Sequence, residues 1–285
     1  MDINYVLTLI AFLNLGGDLY NIMRFRTQLP HWILKLNLFS LALCIAAFLI
    51  APEECGYIAV AILVAYHAIL RLRTRSLRHI QNSSGTPITI GIIVLNAASF
   101  AYQISQDAIN NPVNLIRVGA LYSPLIEAGQ WWRFFSAQFA HWGVAHLALN
   151  MLGLWFLGRA VERLLGSTRY IIAYLLCGAG GMTIAWLANY ITNMGNPMIL
   201  LGASASVLGM VGLQAATSLM AYRKTGSVIA KAQLSAMTQI IALQVIFDLS
   251  VPQVSSTAHI GGAACGFIIG MFLTRRARTN IIVEH

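Results

Sequence analysis

Nine apolar runs, each close to the length of a membrane-crossing helix, follow one another along this chain and leave few residues for anything else. A helix needs roughly 20 largely apolar residues to span the hydrocarbon core of a bilayer. The runs extend from Ile3 to Met23, Trp32 to Ile50, Gly56 to Leu70, Ile88 to Ile104, Trp142 to Leu157, Tyr170 to Ile191, Leu201 to Tyr222, Leu234 to Leu249 and His259 to Leu273. A long amphipathic stretch, Asp107 to Ala140, separates the fourth from the fifth. Only 9% of the residues are charged, against roughly 25% in a soluble domain, so the chain cannot cover itself with water-facing side chains. An all-α, polytopic transmembrane helix bundle is the expected fold class.

The basic residues fix an orientation. Cytoplasmic loops carry the excess of Lys and Arg. With Met1 outside, of the 18 basic residues only Arg117 and Arg133 fall on the outer side. The net charge of +9 therefore reports membrane orientation and gives no reason to expect nucleic acid. The C-terminus is expected in the cytoplasm, in a multi-pass protein of the plasma (inner) membrane. The polar linker 81–87 divides the chain into three N-terminal spans (1–80) without a readable role, a six-span segment (88–275) and a short cytoplasmic tail (276–285).

Cys44, Cys55, Cys177 and Cys265 are widely spaced, with no C-x-x-C or Cys/His ligand pattern. This indicates neither a zinc site nor a disulfide framework. The start lacks the basic region and small-residue cleavage site of a signal peptide, so the first run is expected to be retained.

Polar residues inside a membrane are costly and mark functional candidates. His146 and Asn150 are spaced i, i+4 and share a helix face. Ser204 lies near the start of the seventh run and His259 at the start of the ninth. All three runs enter from the outer side, so the four residues are expected at one depth. A serine hydroxyl becomes a nucleophile when a neutral imidazole takes its proton, and the resulting oxyanion needs aimed donors. Ser204 with His259 makes the economical dyad. The His146 ring, the Asn150 amide and the Ser204 backbone N–H can serve as donors. Each residue alone also fits ordinary interhelical hydrogen bonding, and Asp248, at the end of the eighth run, fits a structural role better than that of a third triad member. Gly262, Gly266 and Gly270 recur every fourth residue beside His259, a stripe that lets helices approach closely. The seventh run, with Gly202, Gly209 and Gly212, is the expected partner.

Taken in order, these residues resemble the rhomboid intramembrane serine proteases. The resemblance covers about residues 88–275. It rests on Trp132-Arg133, on His141, His146 and Asn150 at H-x4-H-x3-N spacing, and on Gly158-Arg-Ala-Val-Glu162 running on to Gly166-Ser167. Gly202-Ala203-Ser204 and Ala258-His259-Ile-Gly-Gly262 with Gly266 complete it. It implies Ser204 as nucleophile, His259 as general base, and His146, Asn150 and the Ser204 amide as oxyanion hole. It further implies structural positions for His141, Trp132, Arg133 and Glu162, with 110–140 as a membrane-embedded loop. The implied activity is cleavage of transmembrane protein substrates near their outer end, within the lipid bilayer and without a metal or cofactor.

The sequence departs from the family at Ala205, where glycine is common, at Leu208, where an aromatic often packs on the catalytic imidazole, and in its three leading spans. An inactive rhomboid-like protein that binds transmembrane segments is the alternative, although it would be expected to lack Ser204 or His259. A zinc protease is disfavoured by the absence of H-E-x-x-H. An aspartyl protease is disfavoured because Leu15 replaces the first glycine before Gly16-Gly17-Asp18, an aspartate that fits pairing with Arg24 or a place in the bundle interior. A secondary transporter should show midplane ionisable groups and broken helices, which the six-span segment offers little of. Oligomeric state is not readable.

Overall fold

Hydrophobic side chains in this molecule sit on the outside as well as the inside. Val94, Ile191, Ile268 and Phe272 are all more than half exposed, on helices whose opposite faces are buried. Such a surface is stable only when the surrounding medium is itself apolar, and only self-satisfied backbone can face that medium. The computed structural model describes residues 15, 31–50, 85–192, 196–250 and 255–282. Among them, six helices are long and apolar enough to cross a membrane. The protein is an integral, multi-pass membrane protein of helical architecture.

The chain divides into two units, Met1–Ser83 with Ile246–Pro252, and Ser84–Val245 with Gln253–His285. In the first, helix α1 (His31–Ile50) is described, and its buried Asn37 donates to the Leu15 carbonyl at 3.1 Å. The first expected span apart from Leu15, the third expected span, the 81–87 linker up to Ser84, Asp18, Arg24 and Cys55 lie outside the described residues.

The second unit begins with α2 (Pro87–Ser105), opened by a proline at its first position, where the missing N–H costs nothing. The stretch after it is a folded loop. It contains α3 (Pro112–Arg117), strand β1 (Leu121–Tyr122), α4 (Ser123–Glu127), α5 (Arg133–Ser136) and a 3-10 turn, Ala137–Phe139. The next span is continuous over Val144–Leu165. It is built from α6 (Val144–Gly153), a π-helical turn at Leu154–Gly158, and α7 (Arg159–Leu165). Helix α8 (Ser167–Thr192), strand β2 (Ile199–Leu200), α9 (Ser204–Thr225), α10 (Val228–Ser250) and α11 (Ser256–Ile282) follow.

Two differences from the sequence expectation matter for the site. The two strands pair antiparallel, Leu121 with Leu200 and Tyr122 with Ile199, so the loop is tied to the segment that leads into α9. The seventh span also starts later than its apolar run. Leu201–Ala203 are not helical, and Ser204 is the first residue of α9 instead of the fourth of a longer helix. Gly202 explains the break. Its φ is +115°, and a Cβ there would stand 2.9 Å from His146 Nε2, so only glycine fits that backbone and that approach.

Helix α9 packs most extensively against α11, and both also pack on α8. The crossing is built from backbone on backbone. A Cβ on Gly262 would collide with the Ala205 carbonyl, one on Gly266 with the Gly209 carbonyl, and one on Gly270 would lie 2.9 Å from the Leu213 carbonyl. The stripe thus meets α9 through Ala205, Gly209 and Leu213, one contact per turn. Around it lies a core of Tyr170, Tyr174, Cys177, Met210 and Leu213.

Gly266→Ala should destabilise the protein by about 1–3 kcal/mol, the cost of overpacking, and lower its thermal unfolding midpoint in detergent. Gly91→Ala, on α2 with nothing within 4 Å of the added methyl, should be neutral or stabilising by up to about 1 kcal/mol. Equal effects from the two would mean that the α9–α11 contact is loose.

Candidate active site

The close α9–α11 crossing brings two helix beginnings together. Ser204 opens α9, and His259 is in the first turn of α11. Ser204 Oγ and His259 Nε2 are 2.6 Å apart, a short contact for an oxygen and a nitrogen sharing a proton. His259 is buried and Ser204 half-buried. As the first helical residue, Ser204 carries a backbone N–H that has no partner within the helix.

His146 stands on the other side of Gly202. The Trp142 backbone N–H donates to His146 Nδ1 at 3.3 Å. An imidazole nitrogen that accepts a hydrogen bond is the unprotonated one, so the proton of the neutral ring sits on Nε2. That is the nitrogen beside Gly202, whose absent Cβ would be 3.7 Å from Ser204 Oγ. Asn150, one turn on along α6, is buried, and its amide nitrogen donates to the His146 carbonyl at 2.9 Å. A second hydrogen remains on that nitrogen. The geometry therefore gathers a hydroxyl, an imidazole in contact with it, and the Ser204 and His146 N–H groups around one small volume at the start of α9, with Asn150 joined to them through the His146 carbonyl.

The remaining residues singled out from the sequence hold the frame. His141 is fully buried, its backbone N–H donating to Gln103 Oε1 at 3.1 Å and its carbonyl accepting from Gln103 Nε2 at 3.4 Å. Its ring meets that of His146 edge to face at 5.1 Å. Arg133 is buried under the loop. Its guanidinium donates to the Ile116 and Ala120 carbonyls at 2.7 and 2.6 Å and to Gln130 at 2.8 Å, and lies 4.5 Å from the Trp132 ring. Glu162 accepts from the Ile88 and Thr89 backbone N–H groups at 3.0 and 2.8 Å, from the Thr89 hydroxyl at 2.7 Å and from Ser167 at 2.8 Å. It thus caps the start of α2, far along the span from His146. Leu208 is buried in the apolar core. Asp248 is buried near the end of α10 and belongs to the other unit.

Two residues went unnoticed in the sequence. Gln138 is fully buried. Its amide donates to the Phe134 and Leu175 carbonyls at 2.9 and 3.2 Å, and its oxygen accepts from Ser206 at 3.0 Å. Next to it, the Ala137 carbonyl accepts from the Gly202 N–H at 2.9 Å. The loop thus grips the chain on both sides of Ser204. The other residue is Gln244 on α10, whose side-chain amide nitrogen Nε2 lies 3.3 Å from His259 Nδ1. As a polar residue in an apolar span one turn before Asp248, Gln244 carried the same signal that singled out His146. Among the described residues, no group of three or more His, Cys, Asp or Glu side chains is placed to hold a metal ion.

Comparison with known proteins agrees with this architecture. Residues 128–276, more than half of the chain, match the Rhomboid domain family model. The chain is similar to the rhomboid protease GluP of Bacillus subtilis, 34% identical over 55% of this chain and 29% of the relative. It is also similar to RHOMBOID-like protein 5 of Arabidopsis thaliana, 30% identical over 59% and 52% respectively. To the rhomboid protease AarA of Providencia stuartii it is 29% identical, over 65% of this chain and 71% of the relative. The chain belongs to the rhomboid family. It spans about a third to a half of the length of the first of these curated relatives.

Burial, with the neighbouring His146 adding to it, pushes the His141 imidazole down to about 3, so the folded protein keeps this ring neutral. Between pH 6.5 and about 3 the unfolded chain takes up a proton there that the folded chain refuses. Stability from this residue is complete above pH 6.5 and is lost as pH falls, at about 1.4 kcal/mol per pH unit. His141→Gln should flatten the fall of the unfolding midpoint across that window, whatever it does to the midpoint at neutral pH. An unchanged slope would mean the folded ring accepts the proton.

Proposed function

We propose that the protein is an intramembrane serine endopeptidase that cleaves transmembrane protein substrates near their outer end through Ser204 and His259. The observation that carries this reading is the 2.6 Å contact between Ser204 Oγ and His259 Nε2 inside a membrane helix bundle. The Ser204 hydroxyl gives its proton to His259 Nε2 as its oxygen attacks the scissile carbonyl. The developing oxyanion takes hydrogen bonds from the Ser204 backbone N–H, the His146 Nε2–H and the Asn150 amide. His259 then passes its proton to the departing amine, and water, activated by the same imidazole, releases the acyl group.

The family membership and relatives named as rhomboid proteases support the reading. So does the presence, among the described residues, of six helices long and apolar enough to cross a membrane, three of which carry His146 with Asn150, Ser204 and His259. The distribution of basic residues supports a site opening to the extracytoplasmic side of the plasma (inner) membrane, with the C-terminus cytoplasmic. This reading assigns no role to the three leading spans.

A fluorophosphonate probe should label the purified full chain, and labelling should vanish in Ser204→Ala. His259→Ala should reduce cleavage of a model transmembrane substrate by about a hundredfold or more, while Asp248→Asn should change it little. Equal labelling of Ser204→Ala would remove that residue as nucleophile. Substrate capture without hydrolysis by the native chain would make it a binding protein of the rhomboid-like kind.

A further inference from the structure

His259 is contacted at both ring nitrogens. Nε2 faces Ser204 Oγ at 2.6 Å, and Nδ1 faces the Gln244 side-chain amide, its nitrogen Nε2 as placed, at 3.3 Å. The three side chains come from three helices, α9, α11 and α10, and all lie within one unit of the chain. No carboxylate is needed to complete this row, because what a neutral imidazole base requires at its far nitrogen is an acceptor. For Nε2 to take the serine proton it must hold a lone pair, so the ring proton must sit on Nδ1. An N–H donor opposite Nδ1 would force the opposite tautomer and turn Nε2 into a donor, idle as a base. The terminal amide of a glutamine resolves this by a half-turn, which exchanges its oxygen and nitrogen in nearly the same volume.

We propose that Gln244 is a positioning residue, whose amide oxygen accepts the Nδ1–H of His259 and holds the imidazole in the tautomer able to deprotonate Ser204. The proposal rests on the reading of Ser204 as nucleophile and His259 as base. In the acylation step the O–H bond of Ser204 breaks, its proton goes to Nε2, and the Nδ1–H stays shared with Gln244. When Nε2 gives its proton to the departing amine nitrogen, the ring returns to the tautomer it started from. Gln244 also fixes the plane of the ring. An amide suits the position better than a carboxylate would, since it accepts the same bond without placing a charge among apolar helices.

The test uses the full chain in lipid bilayers, with imidazole nitrogens labelled with 15N and the His259 signals assigned by their loss in His259→Ala. The native protein should show His259 mainly as the Nδ1–H tautomer. Gln244→Leu, which keeps the size and suits an apolar helix, should shift it toward Nε2–H and lower kcat on a transmembrane peptide substrate by about tenfold or more, with KM little changed. Gln244→Glu keeps an acceptor in place and should restore the Nδ1–H tautomer and most of kcat. A native His259 already in the Nε2–H form, or 15N shifts that Gln244→Leu leaves unchanged, would overturn the proposal. The shifts decide it independently of turnover. A tautomer switch in a chain that neither reacts with fluorophosphonate nor cleaves would refute the protease reading and leave the role of Gln244 standing. Full activity with an unmoved tautomer in Gln244→Leu would do the reverse.

Discussion

The rest of the site depends on how closely α11 can approach α9. At Gly262 and Gly266 the α-carbons of one helix rest against the carbonyls of Ala205 and Gly209 of the other, leaving no room for a side chain on either. Association of helices in lipid has no hydrophobic drive, so it relies on packing of this kind. The register of that contact sets the distance between the first turns of the two helices, where Ser204 and His259 lie. A single methyl group at Gly266 would collide with the Gly209 carbonyl, so the helices could take it only by moving apart, carrying the first turns with them.

A second constraint is that every polar group taken into the bundle must be answered there. The structure uses these answers as joints. Glu162 closes the start of α2 with three hydrogen bonds and takes a fourth from Ser167 at the start of α8. Arg133 gathers the carbonyls of the α3 turn. Gln138 links the loop to α8 and α9. Gln103 holds the backbone of His141 on both sides, so that its neutral ring lies against His146. None of these side chains is in contact with the Ser204 hydroxyl, yet together they determine where α6 and the start of α9 sit. Their interactions are internal to the second unit.

The helices and the convergence of His146, Ser204 and His259 were legible from the sequence, because both follow from counting. Apolar runs of span length must cross, alternate crossings must face alternate sides, and polar residues at the same end of such runs must share a depth. Counting fails where local backbone geometry decides. The apolar run at Leu201 gave no sign that the helix begins only at Ser204, since Leu, Gly and Ala suit a helix as well as the loop. The break comes from Gly202 at positive φ against His146, a tertiary contact. The short β1–β2 pair was invisible for the same reason: two residues per strand carry no periodicity. Gln138 and Gln244 were legible in principle as polar residues among apolar ones. Their partners, a backbone carbonyl and a ring nitrogen on other helices, were not.

The start of α9 shows why the helix boundary matters more than the span. Had Ser204 been the fourth residue of a helix, its backbone N–H would have been the last of the four without an intrahelical partner, one turn below the mouth. As the first residue it projects its N–H out of the helix end, where the peptide dipoles favour negative charge. The hydroxyl, the free N–H and the positive end of the dipole then all belong to one residue. The same break opens the space that His146 fills with its Nε2. One glycine in an unusual conformation thus converts a run of small apolar residues into a helix start that, in the proposed reading, holds a negative oxygen inside a membrane protein.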